Sequence, residues 1–329
     1  MGLIAAIIIG FGSALVYASF LYWLDRYEKE PLRLLGGVFV WGAVVAAGSA
    51  FLINTTLGLG IYVFTGSNSA TDLATGSLVA PLVEETLKGL AVLGIFLVFR
   101  SEFDSVLDGI IYAGVAALGF AATENVYYIY TYGFQQGGWS GLLALTIIRV
   151  FLVGWQHPFY TAFFGIGLAL ARLHRNWFVR IFAPLTGLGL AMFTHAFHNT
   201  VDSLLGGVAG LAVGAFFDWT GWLFMVGVIL WATWQEQQNL KKYLAAELQA
   251  GTISAALFET ACSAWRQMAA RTAALFKGRY RKTARFFQVC GEYALKRRQY
   301  ADLGDEGGNL AILQDLRAEL IRLAPEVQV

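Results

Sequence analysis

The chain has 329 residues, 57% of them hydrophobic and only 14% charged, with a formal net charge of +1. Such an apolar composition excludes one ordinary soluble domain and fits a polytopic membrane protein, while the near-neutral charge gives no reason to invoke nucleic acid. Of its 23 Lys and Arg, nine serve the first 234 residues and 14 follow residue 235, which divides a transmembrane domain, 1–234, from a soluble amphipathic C-terminal region, 235–329.

Residues 3–24 form a first apolar span that no basic residue precedes; it lacks the charged start of a cleavable signal peptide and is expected to be retained. A polar loop, Asp25 to Arg33, leads to a second span from about Leu34 to Phe51 or beyond, then to a connection from Asn54 to Thr75 without Lys or Arg. The third, Leu73 to Phe99, contains Pro81-Leu-Val-Glu84-Glu85-Thr-Leu-Lys88. After an acidic turn a fourth span runs to about Tyr132 and bears Glu124-Asn125, and Gln135 to Ser140 is a turn by composition. The fifth, 141–171, holds Arg149 and His157-Pro158, where the proline predicts a kink. A basic loop with Arg172, His174, Arg175 and Arg180 precedes a sixth, about 181–204, with His195, His198 and Asn199; a seventh, about 208–234, has Asp218 as its only charge. The expected fold is all-α: a polytopic membrane helix bundle of about seven transmembrane helices with a cytoplasmic helical C-terminal region.

Loops after the first, third and fifth spans carry three, one and three Lys or Arg, and the loops between them carry none. The positive-inside rule then places the N-terminus outside and the C-terminal region in the cytoplasm. Glu84 and Glu85 enter from the outside about ten residues along their span, roughly 15 Å deep. Glu124, His157, His195 and Asn199 fall at overlapping depths, so four spans direct polar groups into the outer half of the bilayer.

A charge in a span costs at least ~2.5–3.5 kcal/mol on insertion scales unless it faces protein or water. Each of these residues also has a purely structural reading. Glu84 or Glu85 pairs with Lys88 one turn on; His195 and Asn199 bond between helices; His157 satisfies a carbonyl freed by the kink; Arg149 closes a network with Glu124. Together they suit hydrolysis. A buried carboxylate beside a second one is tuned toward general-base work on water, and His195 and Asn199 can donate to an oxyanion. No Ser or Cys nucleophile stands with a histidine. A glutamate with two histidines is equally a workable zinc set, so a divalent metal held by Glu124, His157 and His195 is the alternative to metal-free water activation.

Glu84-Glu85-x-x-Lys88, Asp108-Gly-Ile-Ile-Tyr-Ala-Gly leading to Gly119-Phe120-x-x-x-Glu124-Asn125, Arg149 ahead of His157-Pro-Phe-Tyr-Thr161, and His195-Ala-Phe-His198-Asn199 resemble, in order and spacing, the PrsW family of intramembrane proteases. The resemblance covers residues 80–200. That family is related to the type II CAAX-prenyl endopeptidases, from whose pattern this chain departs by Glu124 in place of a histidine and by Lys88 one residue before an arginine. It implies a glutamate-dependent intramembrane endopeptidase of a bacterial inner membrane, cutting a membrane-anchored protein such as a single-span anti-sigma factor at site 1. The resemblance carries over Glu84 and Glu85 as the base pair, Glu124 and His157 as water or metal partners, and His195 with Asn199 as oxyanion donors. Lys88, Arg149, Asn125 and Phe120 support them, and His198 is a minor candidate.

The C-terminal region reads as three or four amphipathic helices with a break near Gly304 to Gly308. Its basic cluster, Lys277 to Arg285, is either a solvated face or a surface for anionic lipid or a partner. Cys262 and Cys290 lie there without a CxxC, as free thiols of a reducing compartment do. Two rival functions use the same residues: a proton-coupled transporter, against which the lack of an internal repeat argues, and a receptor that holds membrane segments without cutting them.

Overall fold

The computed structural model describes residues 1–305 and 308–327; Glu306 and Gly307, within the expected break, lie outside the described residues. Among the described residues every regular element is helical. We label α1 (Gly2–Leu24), α2 (Leu32–Thr65), α3 (Ala80–Val98), α4 (Val106–Tyr128), α5 (Gln135–Thr146), α6 (Gln156–Leu173), α7 (Trp177–Leu205) and α8 (Gly207–Gln249), then α9 (Ala255–Ala261), α10 (Ala264–Phe276), α11 (Tyr280–Leu303) and α12 (Asn309–Leu323). Helices α1, α2, α7, α8 and the run from Val106 to Leu173 are long and apolar enough to cross a membrane, and the chain is a multi-pass membrane protein. The run 106–173 is too long for a single crossing and is interrupted at Gly138, with φ +57, and between Leu152 and Gln156.

Helix α4 is the axis of the bundle. Every residue from Val106 to Ala122 is buried, as befits a helix apolar on all sides and wrapped by α1, α2, α3 and α6. Small residues let these helices approach: a methyl group on Gly109 of α4 would sit 2.2 Å from the Gly165 carbonyl oxygen of α6. One on Gly187 of α7 would sit 2.3 Å from the Phe163 oxygen of the same helix α6. These contacts bring the helices carrying Glu124, His157 and His195 together.

Two boundaries differ from the sequence expectation. Asn54 lies inside α2, which continues to Thr65 because Thr56 returns its hydroxyl to the Leu52 carbonyl at 2.8 Å and Gly66, with φ +63, ends the helix. The fifth span is broken before His157 rather than bent at it, and Pro158 stands in the first turn of α6, where its missing N–H costs nothing.

Residues 234 and 235 both lie within α8, which runs on unbroken to Gln249 before the turn that leads to α9. In the C-terminal region Leu240, Leu244, Phe286, Phe287, Leu316 and Leu320 form a second core, which also takes in Tyr27 from the α1–α2 loop. Gln288 and Lys29 exchange hydrogen bonds of 2.8 and 3.1 Å, and Lys296 Nζ lies 2.6 Å from Asp104. The C-terminal helices are therefore seated on the loops that carry Arg26, Lys29 and Arg100. Cys262 and Cys290 are buried free thiols.

Candidate active site

In α3, Glu84, Glu85 and Lys88 are all buried, and the lysine is fully enclosed. Helix geometry left open which glutamate the lysine holds, and the structure pairs it with Glu85. Lys88 Nζ is 2.6 Å from Glu85 Oε1 but 3.7 Å from Glu84 Oε2, and it also lies 3.1 Å from His157 Nδ1 and 4.3 Å above the Phe120 ring. Both oxygens of Glu85 are committed: Oε1 also faces His195 Nδ1 at 2.9 Å, and Oε2 accepts from the Thr161 hydroxyl at 2.7 Å. Glu84 is different. Its Oε1 accepts from Asn54 Nδ2 at 3.3 Å, whereas Oε2 is buried with no hydrogen bond, 3.9 Å from His195 Nε2.

Because a carboxylate only accepts, Glu85 assigns the His195 proton to Nδ1 and turns the Nε2 lone pair toward Glu84. The ring is fixed from its face as well. Tyr160 stacks on it at 5.1 Å and 21°, and the Tyr160 hydroxyl donates to Asp218 Oδ1 at 2.6 Å. His198 Nδ1 lies 2.8 Å from the other Asp218 oxygen, so His198 belongs to this support rather than to the pocket centre.

Glu124 completes the opposite wall. It pairs with Arg149 and lies 2.8 Å from His157 Nε2, while Asn125 Oδ1 accepts from Arg149 Nε at 3.0 Å. Asn199 gives one amide proton to the Gly76 carbonyl at 2.9 Å and keeps a second donor. The structure thus brings Glu84, Glu85, Glu124, His157 and His195 into one cluster, whereas Asn199, one turn of α7 beyond His195, is bonded to Gly76. Sequence reasoning missed Asn54, Thr161, Tyr160 and Asp218. Thr161 was signalled by its spacing, four residues after His157 on the same helix face; Asn54 carried no signal.

Donor atoms of Glu84, His157 and His195 lie within 4.8 Å of one another. The three-donor set expected from the sequence had Glu124 where the geometry has Glu84. A divalent cation fits this set on two grounds. Glu84 Oε2 is a buried acceptor without a hydrogen-bond donor, and the three carboxylates have two cations, Lys88 and Arg149, among them; His157, whose nitrogens face Lys88 and Glu124, would turn one of these nitrogens to the ion.

A family model described as PrsW family intramembrane metalloprotease matches residues 30–233. The chain belongs to this family. It is similar to the protein named Protease PrsW of Geobacillus kaustophilus, with 30% identity over 44% of this chain and 60% of that one. Protease PrsW of Clostridioides difficile is 36% identical over 34% of this chain and 46% of its own length. For Protease PrsW of Bacillus subtilis the identity is 25% over 72% of this chain and 95% of the relative. The matched stretches therefore span less than two thirds of the first two relatives and nearly all of the third. No solved structure matches. The family description agrees with a metal-binding triad of Glu84, His157 and His195.

Proposed function

We propose that this PrsW-family chain hydrolyses a peptide bond of a membrane-anchored protein by water attack, with Glu84 as the proton acceptor. The observation that carries the reading is Glu84 Oε2, buried, without a hydrogen-bond donor and facing His195 Nε2 at 3.9 Å. That separation suits one small bridging group rather than a direct bond. Glu84 Oε2 takes a proton from water as the water oxygen bonds to the scissile carbonyl carbon. It returns the proton to the leaving amine as the C–N bond breaks. Glu85, clamped by Lys88 and Thr161, holds His195 in its tautomer, while Glu124 with Arg149 and Asn125 orients His157. The second amide proton of Asn199 is the donor for the oxyanion.

In a metal-loaded form Glu84, His157 and His195 would hold the divalent ion, zinc best suiting one carboxylate and two imidazoles, and Glu84 would then be a ligand rather than the proton acceptor of the metal-free form. When bound, the ion acidifies water and polarises the carbonyl. The loops with Arg26, Lys29, Arg100 and Arg172 share one end with the C-terminal helices, which supports a cytoplasmic C-terminal region, 235–329, and a site in the outer half of the membrane domain, 1–234. A single-span anti-sigma factor cut at site 1 is the substrate we favour. The test is cleavage of a single-span substrate in nanodiscs by wild type and Glu84→Gln. Loss of cleavage with unchanged folding supports the reading. Undiminished cleavage by the variant, or substrate flux across liposomes without any cleavage, overturns it.

A further inference from the structure

Helix α10 lies outside the segment that matches the family, and its apolar residues point the wrong way for a soluble helix. Gln267 and Ala274 face inward, whereas Trp265, Met268, Leu275 and Phe276 are exposed, Trp265 at 72% and Phe276 at 86%. At helical spacing these four share an arc of roughly 100° opposite Gln267 and Ala274, with Met268 and Leu275 at the edge of the arc nearer Arg271. The stripe is followed at once by Lys277, Arg279, Arg281 and Lys282, all exposed, after a turn at Gly278 with φ +67.

The level of this helix along the membrane normal is set by α1. A cleft of about 210 Å³ separates the last turn of α1 from α10, lined by Trp23 and Arg26 on one side and by Met268, Arg271 and Leu275 on the other. Because α1 is apolar up to Leu24, its end marks the boundary between hydrocarbon and headgroups, and α10 lies beside that boundary. The cleft is electropositive. Asp25 also lines it but has Lys29 beside it, which leaves Arg26 and Arg271 in excess. Arg26 stacks over Trp23 at 3.4 Å, and Arg271 Nε is buried without an acceptor.

We propose that α10 is an in-plane interfacial helix and that the cleft between it and α1 binds the headgroup of an anionic phospholipid, with the phosphate between Arg26 and Arg271 and with Trp265 and Phe276 in the acyl boundary. An interfacial helix combines such an apolar face with flanking cations, and tryptophan favours that depth. The inference rests on the membrane-spanning character of α1 and is independent of the protease reading.

The full-length protein is reconstituted into nanodiscs of phosphatidylcholine, with or without phosphatidylglycerol. Brominated phosphatidylglycerol is expected to quench tryptophan fluorescence in wild type more than in Trp265→Phe. Phosphatidylglycerol retained through purification is expected to bind about 30-fold more weakly to the Arg26→Gln, Arg271→Gln double variant, from the worth of two cations near an anionic surface. Inorganic phosphate should not displace the lipid. Equal quenching in wild type and Trp265→Phe, equal retention by wild type and double variant, or displacement by inorganic phosphate at concentrations matching the lipid would each overturn the proposal. The quenching arm leaves both arginines intact, so it decides the matter even where the double variant fails to fold.

Discussion

Among the described residues, buried carboxylates gather in two clusters, and one of them has the makings of a reactive site. At the junction of the membrane helices with the C-terminal helices, Asp25, Glu30, Asp104, Asp108 and Glu236 are all buried. Asp108 is fully engaged there. It accepts from the Asp104 and Ser105 amides at 2.8 and 2.7 Å and from the Ser105 hydroxyl at 2.6 Å, which closes a capping box at the start of α4. Glu30 accepts from the Tyr112 hydroxyl at 2.5 Å, and Lys296 reaches Asp104. The bundle interior has fewer carboxylates but sets two imidazoles against them, with one glutamate oxygen left facing a histidine nitrogen. Asp104 Oδ1 at the junction is also buried without a hydrogen-bond partner, so neither buried charge nor an open oxygen by itself marks chemistry; the imidazoles set against the open oxygen make the difference.

The sharpest way to break this contrast is to neutralise one carboxylate in each place. Glu84→Gln is expected to lower turnover by about 10²–10⁴-fold, the usual worth of a general base, while Asp108→Asn cleaves at near the wild-type rate once folded. Cleavage assays on nanodisc-reconstituted protein measure both, and equal losses would erase the distinction. Within the site, Glu85→Gln should act on stability too, because Lys88 is left buried without its closest counter-charge, at a cost of about 3–5 kcal/mol. A lower melting temperature than that of Glu84→Gln checks this, and adding Lys88→Met should recover stability without recovering activity. A smaller effect is expected at Asp218→Asn. Losing the group that anchors Tyr160 against His195 should weaken metal affinity or turnover by about 10–100-fold, as removal of a ligand's outer partner does. A competition titration with a chelator reads the affinity directly.

Most of the membrane fold was legible because an apolar run of helical length has few alternatives in a bilayer. The convergence of Glu84, Glu124, His157 and His195 followed from their depths along successive spans. The division of labour between Glu84 and Glu85 did not, since both lie within a turn of Lys88 and only packing against Thr161 and His195 decides between them. Asn54 falls in the expected connection because Asn-Thr-Thr breaks the hydropathy pattern, although Thr56 bonds back within the helix and Asn54 reaches Glu84 on α3. Asp218 was legible as an isolated charge. Its role depends on the Tyr160 hydroxyl of another helix, which no spacing announces. The seating of the C-terminal region is equally a tertiary matter, resting on Tyr27 and on the Gln288–Lys29 exchange.

The smallest expected effect tests the junction by pH. Burial pushes Asp25 up to about 7, against the opposing pull of Lys29, and burial with neighbouring Asp108 and Asp25 pushes Glu30 well above the usual carboxylate range. Both groups bind protons more tightly in the folded junction than in the unfolded chain. Their contribution is complete below the ordinary carboxylate value and is lost as pH rises through the folded one. Lys29, lowered to about 8 chiefly by burial, stays charged in both states below that point and adds no slope there. Lys296 is raised: burial alone would lower it, but Asp104 beside it more than offsets that. Between about pH 5 and about pH 7 the junction should therefore loosen as pH rises. Amide exchange in residues 25–31 and 286–300, corrected for the intrinsic pH dependence of exchange, should show falling protection over that range while α4 stays protected. Protection that rises with pH would mean that these carboxylates are ionised in the folded junction, and that it is held by ion pairs with Lys29, Arg271 and Lys296 instead.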